Sequence, residues 1–354
     1  MTCEEVVITG IGPISAIGIG REDFFDGLDE GRIGVRAAQN LDASNAPCNL
    51  VAECLDFYVE DYLESEKTYL DRASEFLLAA CHLALDDGRL DARAMDHERI
   101  GLSVGTAYGC LKTMWDYYRR LVEKGARFAS SVLFSHSYAN TPVSLASIEY
   151  RIMGPTNTVC SGTTSGAGAI AYAFDLLRHG RIDAMLAGGM DALCQPLFDA
   201  LVAEGVEYVP GEGAGLLLLE TEAHATERTA RVAGRLYGYG MAQGAEADAV
   251  AVGRAIRAAL EAAEVDADRV DVVFTSANGA AGLDGCEAEA VNRAIGDHAR
   301  RVALKETLGE TFAASTGLAI AAAVRAIRAD DVQHCLVSTL DPAGNCAAII
   351  VGPP

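Results

Sequence analysis

The fold of this chain is decided by the stretch Asn157-Thr-Val-Cys160-Ser-Gly-Thr-Thr-Ser-Gly-Ala-Gly-Ala-Ile-Ala171. Its β-branched start is typical of a strand and its run of small residues of a helix, which places Cys160 at a strand-to-helix turn. A helix N-terminus lowers the pKa of a thiol and presents backbone N–H groups to a developing oxyanion. The segment therefore predicts a site at which Cys160 forms a thioester. A buried structural cysteine is the alternative interpretation.

Length and composition indicate one large α/β unit or two similar halves. The chain has 354 residues, of which 50% are apolar and 36 are glycine. Such a chain can bury a sizeable core. It has no run of about 18 apolar residues, and its start is acidic rather than basic, so we expect neither a membrane span nor a signal peptide. These features predict a cytoplasmic protein.

The charge and the cysteines exclude several functions. Lysine and arginine total 28 against 50 acidic residues, which gives a formal net charge of −22. This balance disfavours nucleic acid and anionic membranes as partners. The ten cysteines include no C-x-x-C pair and no Cys/His cluster at zinc spacing. We therefore expect reduced thiols, no metal site and no cofactor.

The first strand is predicted at Glu5-Val-Val-Ile-Thr-Gly10-Ile-Gly12, where a buried run meets a glycine turn. A helix is predicted over 21–31, with Phe24, Phe25 and Leu28 on one face. A dinucleotide-binding loop is the alternative interpretation of the glycines. A third glycine is missing and Pro13 lacks the N–H that would cradle a phosphate, which disfavours that interpretation.

Further strands are predicted where short apolar, β-branched runs recur. They lie at 100–106, 184–188, 215–220, 232–238, 270–276, 335–339 and 347–351.

An internal repeat is visible at an offset of 151 residues. Small-residue helices predicted at 166–178 and 317–328 are each followed by a short buried strand, and small residues let a helix approach other backbones closely. We predict that Val6-Val-Ile-Thr and Val272-Val-Phe-Thr open two duplicated halves. The halves are predicted as residues 1–221, which carry Cys160, and 232–354, with the boundary in the Ala- and Glu-rich segment 222–231.

Together, several features resemble the β-ketoacyl-carrier-protein synthases of the thiolase fold. They are the duplication, Cys160 in T-V-C-S-G, Leu186-Ala-Gly-Gly-Met-Asp-Ala-Leu193 and Gly211-Glu-Gly-Ala-Gly215. The resemblance covers nearly the whole chain. It implies two five-stranded sheets with helices, stacked as α-β-α-β-α layers. It also implies that the cysteine carries an acyl chain while two histidines activate a malonyl thioester for decarboxylative condensation.

Both family histidines are replaced in this chain. The family motif A-H-G-T-G-T reads Ser276-Ala-Asn278-Gly-Ala, and K-S-x-x-G-H reads Lys305-Glu-Thr-Leu-Gly-Glu310. The seven histidines present lie outside these motifs, although His136 could approach the site from a loop. Asn278 can donate a hydrogen bond but cannot shuttle a proton.

Glu310 makes ordinary condensation improbable on electrostatic grounds. A carboxylate about 4 Å from an incoming malonyl carboxylate repels it by up to ~4 kcal/mol, or ~10³ in rate. The same charge would disfavour the thiolate of Cys160.

Two gating segments of the family also differ. The insertion expected after Asp191 is shortened to 193–210, and the C-terminal G-F-G-G loop is replaced by Leu340-Asp-Pro-Ala-Gly-Asn345. The resemblance places Asp341 near the gating phenylalanine.

Within the family, these losses resemble the chain-length factors, the degenerate partners of ketosynthases in type II polyketide systems. The segment 276–291, ending in L-D-x-x-E-A, is similar to their version of the first histidine motif. Chain-length factors commonly carry glutamine where this chain has Cys160. The resemblance implies a heterodimer with an active ketosynthase. Because the net charge of −22 would repel a small acidic acyl carrier protein, we expect the carrier to dock mainly on that partner.

Three functional hypotheses follow. The first is a non-condensing subunit that shapes the acyl tunnel of its partner. The second is an enzyme that uses Cys160 for acyl transfer or thioester cleavage, with Asn278 and Glu310 in altered roles. The third is a homodimeric acyl-binding relic.

A possible interface lies in the segment after residue 106. Leu111, Met114, Trp115 and Tyr118 recur there at helical spacing. A core face is one interpretation of this pattern. The resemblance implies instead that this helix reaches the dimer interface and lines the tunnel of the partner, with Trp115, the only tryptophan, as an interface anchor.

Overall fold

The computed structural model describes residues 4–63, 65–244, 248–329 and 332–354. The strands in these ranges are β1 (Val6–Ser15), β2 (Gly18–Ile19), β3 (Arg36–Ala37), β4 (Leu50–Val51), β5 (Ile100–Gly105), β6 (Thr156–Val159), β7 (Ala184–Asp191), β8 (Gly213–Thr221), β9 (Gly234–Gln243), β10 (Val272–Phe274), β11 (Arg300–Val302), β12 (Cys335–Leu340) and β13 (Asn345–Gly352).

The α-helices alternate with the strands along most of the chain. They are α1 (Arg21–Asp29), α2 (Arg72–Asp87), α3 (Leu111–Lys124), α4 (Ser131–His136), α5 (Thr141–Tyr150), α6 (Ser165–Arg178), α7 (Gln195–Glu204), α8 (Glu222–Glu227), α9 (Ala249–Ala263), α10 (Ala281–Ala294), α11 (Lys305–Leu308) and α12 (Ala314–Ala329). Within the described residues, none of them is long and apolar enough to cross a membrane.

One continuous sheet runs through the protein in the order β11-β10-β12-β13-β9-β1-β8-β7-β5-β6, with β2 paired to β1. In the first half, β5 pairs in parallel with β6 and β7, and β8 then pairs antiparallel with β7 and β1. The second half repeats this pattern with β10, β11, β12, β13 and β9. The topology therefore confirms the internal duplication.

The predicted correspondence of the opening strands is wrong. The strand that contains Val272 is β10, which occupies the place of β5, whereas the counterpart of β1 is β9. β1 and β9 pair antiparallel where the two half-sheets meet. A short β-branched run ending in threonine looks the same in the first and second strands of a half, so local composition could not separate them.

Five layers result from the way helices cover the sheet. Helices α6 and α12 share a core with β1, β7, β8, β12 and β13, and so lie between the two half-sheets. Helices α2 and α5 cover the outer face of the first half, and α9 and α10 that of the second. In β8, Leu217 faces the central layer and Leu218 the outer one, as strand alternation requires. This arrangement is the expected α-β-α-β-α sandwich of the thiolase fold.

Small residues in α6 and α12 allow close packing at the centre, as the sequence predicts. A Cβ at Gly166 would overlap the carbonyl of Ala313, and one at Gly317 would overlap the carbonyl of Gly215. Only glycine lets the backbones approach this closely. The two central helices are thereby fixed close to the strand ends that carry the site.

The predicted glycine turn after the first strand is absent, because β1 continues through Gly10 and Gly12 to Ser15. A Cβ at Gly10 would overlap the carbonyl of Ala84, and one at Gly12 that of Ala80. These glycines allow α2 to pack against the strand and do not form a loop for a phosphate.

The other predicted strands are present, and most of them are longer than predicted. β11 was missed because its sequence Arg300-Arg301-Val302 carries two charges and is partly exposed. The predicted first helix is α1, with Phe24 buried and Phe25 and Leu28 packed against the central core.

Candidate functional site

Cys160 follows directly after β6, the edge strand that pairs with β5. Its side chain is exposed, and α6 begins five residues later at Ser165. Packing around the sulfur and the charge of Asp191 raise the pKa of the thiol. The expectation of a lowered thiol pKa is therefore wrong, because partial burial and the Asp191 charge both raise the pKa of Cys160. The acidic residue that acts on the thiol is Asp191, where the sequence suggested Glu310.

The turn after Cys160 is bound by Asp341. Its Oδ2 accepts hydrogen bonds from the backbone N–H of Thr163 at 2.8 Å and from the Thr163 hydroxyl at 3.1 Å. Gly162 has a φ of 66°, and a Cβ there would overlap the Asp341 carboxylate. The N–H of Ser161 donates to the hydroxyl of Ser165 at 2.8 Å. The N–H groups of Ser161 and Thr163 are thus already engaged and are not available to an oxyanion.

The loop that carries Asp341 is itself closed by hydrogen bonds. Asp341 Oδ1 accepts from the N–H of Ala343 at 2.8 Å, and its backbone N–H donates to the carbonyl of Asn345 at 2.9 Å. The N–H of Gly344 donates to the carbonyl of Asp341. This tight β12–β13 connection holds the carboxylate against the Cys160 turn.

Glu310 is buried and fully engaged by neighbouring groups. Its Oε2 lies 2.7 Å from Lys305 Nζ and 2.7 Å from Asn278 Nδ2. Its Oε1 accepts from the N–H of Phe312 at 2.9 Å and from the Ser315 hydroxyl at 3.3 Å. The structure therefore brings together Asn278, Glu310 and Lys305, as the sequence predicts. Because Lys305 compensates the charge, the repulsion expected from a bare Glu310 carboxylate does not apply in full.

The loop that carries Asn278 is anchored by the first turns of α10. Both oxygens of Glu287 accept from the N–H of Ser276 at 2.9 Å, and Asp284 accepts from the N–H groups of Asn278 and Gly279. Burial raises the pKa of Glu287. Acidic residues on early helical turns are typical loop and N-terminus partners, so the spacing of Asp284 and Glu287 was a signal that sequence reasoning did not use.

Asp191, at the end of β7, joins three elements. It is fully buried, and it accepts hydrogen bonds from the Thr106 hydroxyl and from the N–H groups of Ala107, Tyr108 and Ala313, at 2.8–3.1 Å. Burial outweighs these bonds and raises its pKa to about 6. It connects the end of β5 to the start of α12.

A cavity of about 280 Å³ adjoins these groups. Three of its wall residues are aromatic: the Phe312 ring stands edge to face with Tyr108 at 4.9 Å and with Tyr208 at 6.2 Å between centroids. The remaining walls are Ala107, Gly162, Thr163, Ser276, Asn278, Leu283, Asp284, Glu287, Glu310, Leu340, Asp341, Pro342 and Ala343. No histidine and no basic residue is among these lining residues, and Cys160 lies beside the cavity without lining it.

Comparison with protein-family models identifies the chain. Residues 3–206 match the β-ketoacyl synthase N-terminal domain, and residues 229–337 match the β-ketoacyl synthase C-terminal domain. The chain belongs to the β-ketoacyl synthase family.

Relatives with known names or structures agree with this assignment. The 3-oxoacyl-[acyl-carrier-protein] synthase 2 of Synechocystis is 30% identical over 360 residues, covering 93% of this chain and 86% of the relative. A chain of the ishigamide ketosynthase/chain length factor superposes with a TM-score of 0.93 at 27% identity, covering 99% of this chain and 100% of that one. A chain of AntDE:AntF, a type II polyketide carrier protein in complex with its ketosynthase, superposes with a TM-score of 0.90 at 21% identity, over 99% and 100%. At 21% identity, the similarity to the AntDE:AntF chain shows the fold alone.

His136 is not among the residues that line this cavity. It belongs to α4, and its ring stands edge-on to Tyr69 at 5.3 Å. The suggestion that it approaches the site from a loop is not supported, because the segment is helical and His136 does not line the cavity.

The predicted helix at 111–118 is α3, and its apolar side chains have different environments. Leu111 packs against α7, whereas Met114, Trp115 and Tyr118 are 37%, 52% and 56% exposed. A core-face interpretation of these three residues is therefore wrong for the isolated chain. They join other exposed apolar side chains in what we call the α3–α4 surface. Its residues are Met114, Trp115, Tyr118, Val122, Phe128, Val132, Phe134 and Tyr138.

Proposed function

We propose that this chain is a non-condensing, chain-length-factor-like subunit of the β-ketoacyl synthase family. It pairs with an active ketosynthase in type II polyketide or polyene biosynthesis and shapes the acyl tunnel of that partner. The observation that carries this proposal is the engagement of Glu310. At the position of the second family histidine, its carboxylate is bound by Lys305, Asn278 and the Phe312 N–H.

The chemistry of these groups supports the absence of condensation. Malonyl decarboxylation in this family depends on two imidazoles, which donate hydrogen bonds and exchange protons near neutral pH. An ionised carboxylate only accepts hydrogen bonds, and an asparagine amide does not titrate. One N–H of the Asn278 amide donates to Glu310 and its oxygen accepts from the Ala280 N–H. The Asn278–Glu310 pair therefore supports the loop structure and supplies no imidazole-like proton donor.

The exposed thiol of Cys160 favours a second candidate, an acyltransferase that forms a thioester there. Its raised pKa reduces the thiolate fraction. The N–H groups of Ser161 and Thr163, in the turn that follows Cys160, are bound by Ser165 and Asp341 and are not free for an oxyanion. We therefore place the condensation chemistry on the partner.

Two surfaces support pairing with a ketosynthase. The β6 strand pairs with β5 on one side, and its other edge has no strand partner among the described residues. Unpaired edges readily accept another strand, and we propose that β6 pairs across a pseudo-twofold axis. The α3–α4 surface supplies an exposed tryptophan and several aromatic side chains, which are enriched in interface hot spots.

We propose two further features of the assembly. The carrier protein docks mainly on the ketosynthase, because the net charge of −22 repels an acidic partner. The duplicated halves are residues 1–221 and 232–354, a division supported by α8 and the connection that follows it between β8 and β9.

Co-expression with a ketosynthase that retains its cysteine and both histidines tests the pairing. We expect a heterodimer that buries more than about 2,000 Å². A Trp115→Asp variant should weaken the heterodimer, whereas the matched Tyr172→Asp variant, on the exposed part of α6, should not. A monodisperse homodimer that condenses malonyl and acyl carriers alone would overturn the proposal.

A further inference from the structure

Two tyrosine side chains, those of Tyr108 and Tyr208, form part of the cavity wall. Tyr108 follows β5 and Tyr208 precedes β8, and both are partly buried against Phe312. The backbone N–H of Tyr108 is also fixed by Asp191 at 2.9 Å. In the part of the chain that the structure describes, neither hydroxyl has a hydrogen-bond partner. The rings are held in place while their hydroxyls stay available to a ligand.

These hydroxyls are donors at neutral pH. Burial, followed by the charges of Asp191, Glu310 and Asp341, raises the pKa of Tyr108 to about 12. Burial, then the neighbouring Tyr108 and the same Glu310 and Asp341, also raises the pKa of Tyr208. Both phenols therefore remain protonated and offer an O–H to an acceptor.

The charges of the wall exclude an anion. Four carboxylates, those of Asp284, Glu287, Glu310 and Asp341, are among the described lining residues, and no arginine, lysine or histidine lines the cavity with them. Lys305 compensates Glu310 from behind the wall. A carboxylate that enters this cavity would lose its hydration without gaining a cation.

The same carboxylates are not arranged to hold a cation. Asp284 accepts from backbone N–H groups of the Asn278 loop, and Glu287 from the Ser276 N–H. Asp341 accepts from Thr163 and from Ala343. Their hydrogen bonds serve loop structure, whereas the hydroxyls of Tyr108 and Tyr208 have no partner among the described residues.

We propose that this cavity binds an uncharged, carbonyl-bearing ligand, such as a β-ketoacyl thioester, and rejects malonyl groups. Tyr108 and Tyr208 donate hydrogen bonds to carbonyl oxygen, while Phe312, Leu283 and Pro342 cover the apolar part. The inference rests on the proposed function, because it assigns a ligand class to a site that no longer decarboxylates malonyl.

Calorimetric titration of the full chain with two probes of similar size tests the proposal. Acetoacetyl-N-acetylcysteamine is neutral and malonyl-N-acetylcysteamine is anionic. All proteins carry Cys160→Ala so that no acyl group transfers to the thiol. We expect the neutral probe to bind at least about tenfold tighter at low salt, with a smaller difference at high salt because screening weakens the repulsion. Replacing both Tyr108 and Tyr208 by Phe should weaken the neutral probe about tenfold or more, and the control Tyr172→Phe should leave it unchanged.

Several results would overturn this assignment. They are absence of binding, equal or tighter binding of the malonyl probe, insensitivity to the double Phe replacement, and tighter binding of the amine-bearing β-alanyl-N-acetylcysteamine. Failure of the proposed function is a separate result, since it would appear as carbon dioxide release from a malonyl carrier by this chain alone.

Discussion

The Asp341 carboxylate lies 2.8 Å from the backbone nitrogen of Thr163 and 3.1 Å from its hydroxyl oxygen, which binds the β12–β13 loop to the turn after Cys160. The two residues are 178 positions apart in the chain. A thioester on Cys160 would need free hydrogen-bond donors nearby for a developing oxyanion. The Thr163 N–H is instead bound by the carboxylate of Asp341.

Removing this carboxylate should loosen the Cys160 turn. We expect Asp341→Ala to lower the free energy of unfolding by about 1.5–3 kcal/mol, the range for hydrogen bonds to a charged group. Alkylation of Cys160 by iodoacetamide should become faster, because the turn opens more often. The matched Asp341→Asn variant keeps an oxygen acceptor. Its free energy of unfolding and its alkylation rate should therefore lie between those of the wild type and Asp341→Ala. Equal alkylation rates in all three would show that the contact does not control the turn.

The ion pair of Lys305 and Glu310 should be costly to break from one side. Lys305→Met leaves a buried carboxylate without its cation, and we expect a loss of about 3–5 kcal/mol in urea unfolding. Adding Glu310→Gln to the same protein removes the stranded charge and should recover much of the loss. A double variant no more stable than the single one would argue against charge as the cause.

Asp191 should make stability depend on pH. Its pKa is raised to about 6 in the folded protein, against about 3.9 in an unfolded chain. The folded state therefore binds the proton more tightly, so the contribution of Asp191 to stability falls as pH rises from about 4 to 6. The total change is up to ~3 kcal/mol. The free energies of unfolding of the wild type and Asp191→Asn should therefore differ by an amount that changes across this pH range. If the two pH profiles are parallel, Asp191 does not titrate as stated.

Trp115 should limit product length if the α3–α4 surface faces the partner's tunnel. Trp115→Ala opens space there, and each added methylene can gain about 0.8 kcal/mol from burial. We expect longer products at an undiminished initial rate, measured by mass spectrometry of the heterodimer's products. Tyr172→Ala serves as the exposed aromatic control. If a heterodimer that remains intact makes products of unchanged length, Trp115 has no part in chain-length control.

Much of the fold could be predicted from the sequence, because its signals are local. The β-branched run before Cys160, the helical spacing of α3 and the small residues of α6 and α12 each determine one element. The role of Gly10 and Gly12 could not be predicted, since a glycine after a buried run fits a turn as well as a close helix contact.

The sequence predicts only those residues of the candidate site that belong to recognisable motifs. The motifs placed Asn278, Glu310 and Lys305 together, and the structure brings them within hydrogen-bond distance. The aromatic wall was missed because Tyr108, Tyr208 and Phe312 come from separate segments that meet only through the fold. Residue spacing within a single segment does not predict such contacts between segments.

The central claim is that condensation chemistry resides in the partner and not on Cys160. The most direct measurement is product formation by the heterodimer when Cys160→Ala is compared with alanine at the partner's nucleophilic cysteine. A thiol with a raised pKa and no histidine base should contribute little. We predict that Cys160→Ala retains most of the turnover while the partner's substitution abolishes it. Loss of product in Cys160→Ala, together with an acyl group trapped on Cys160 in the unsubstituted chain during turnover, would contradict the account.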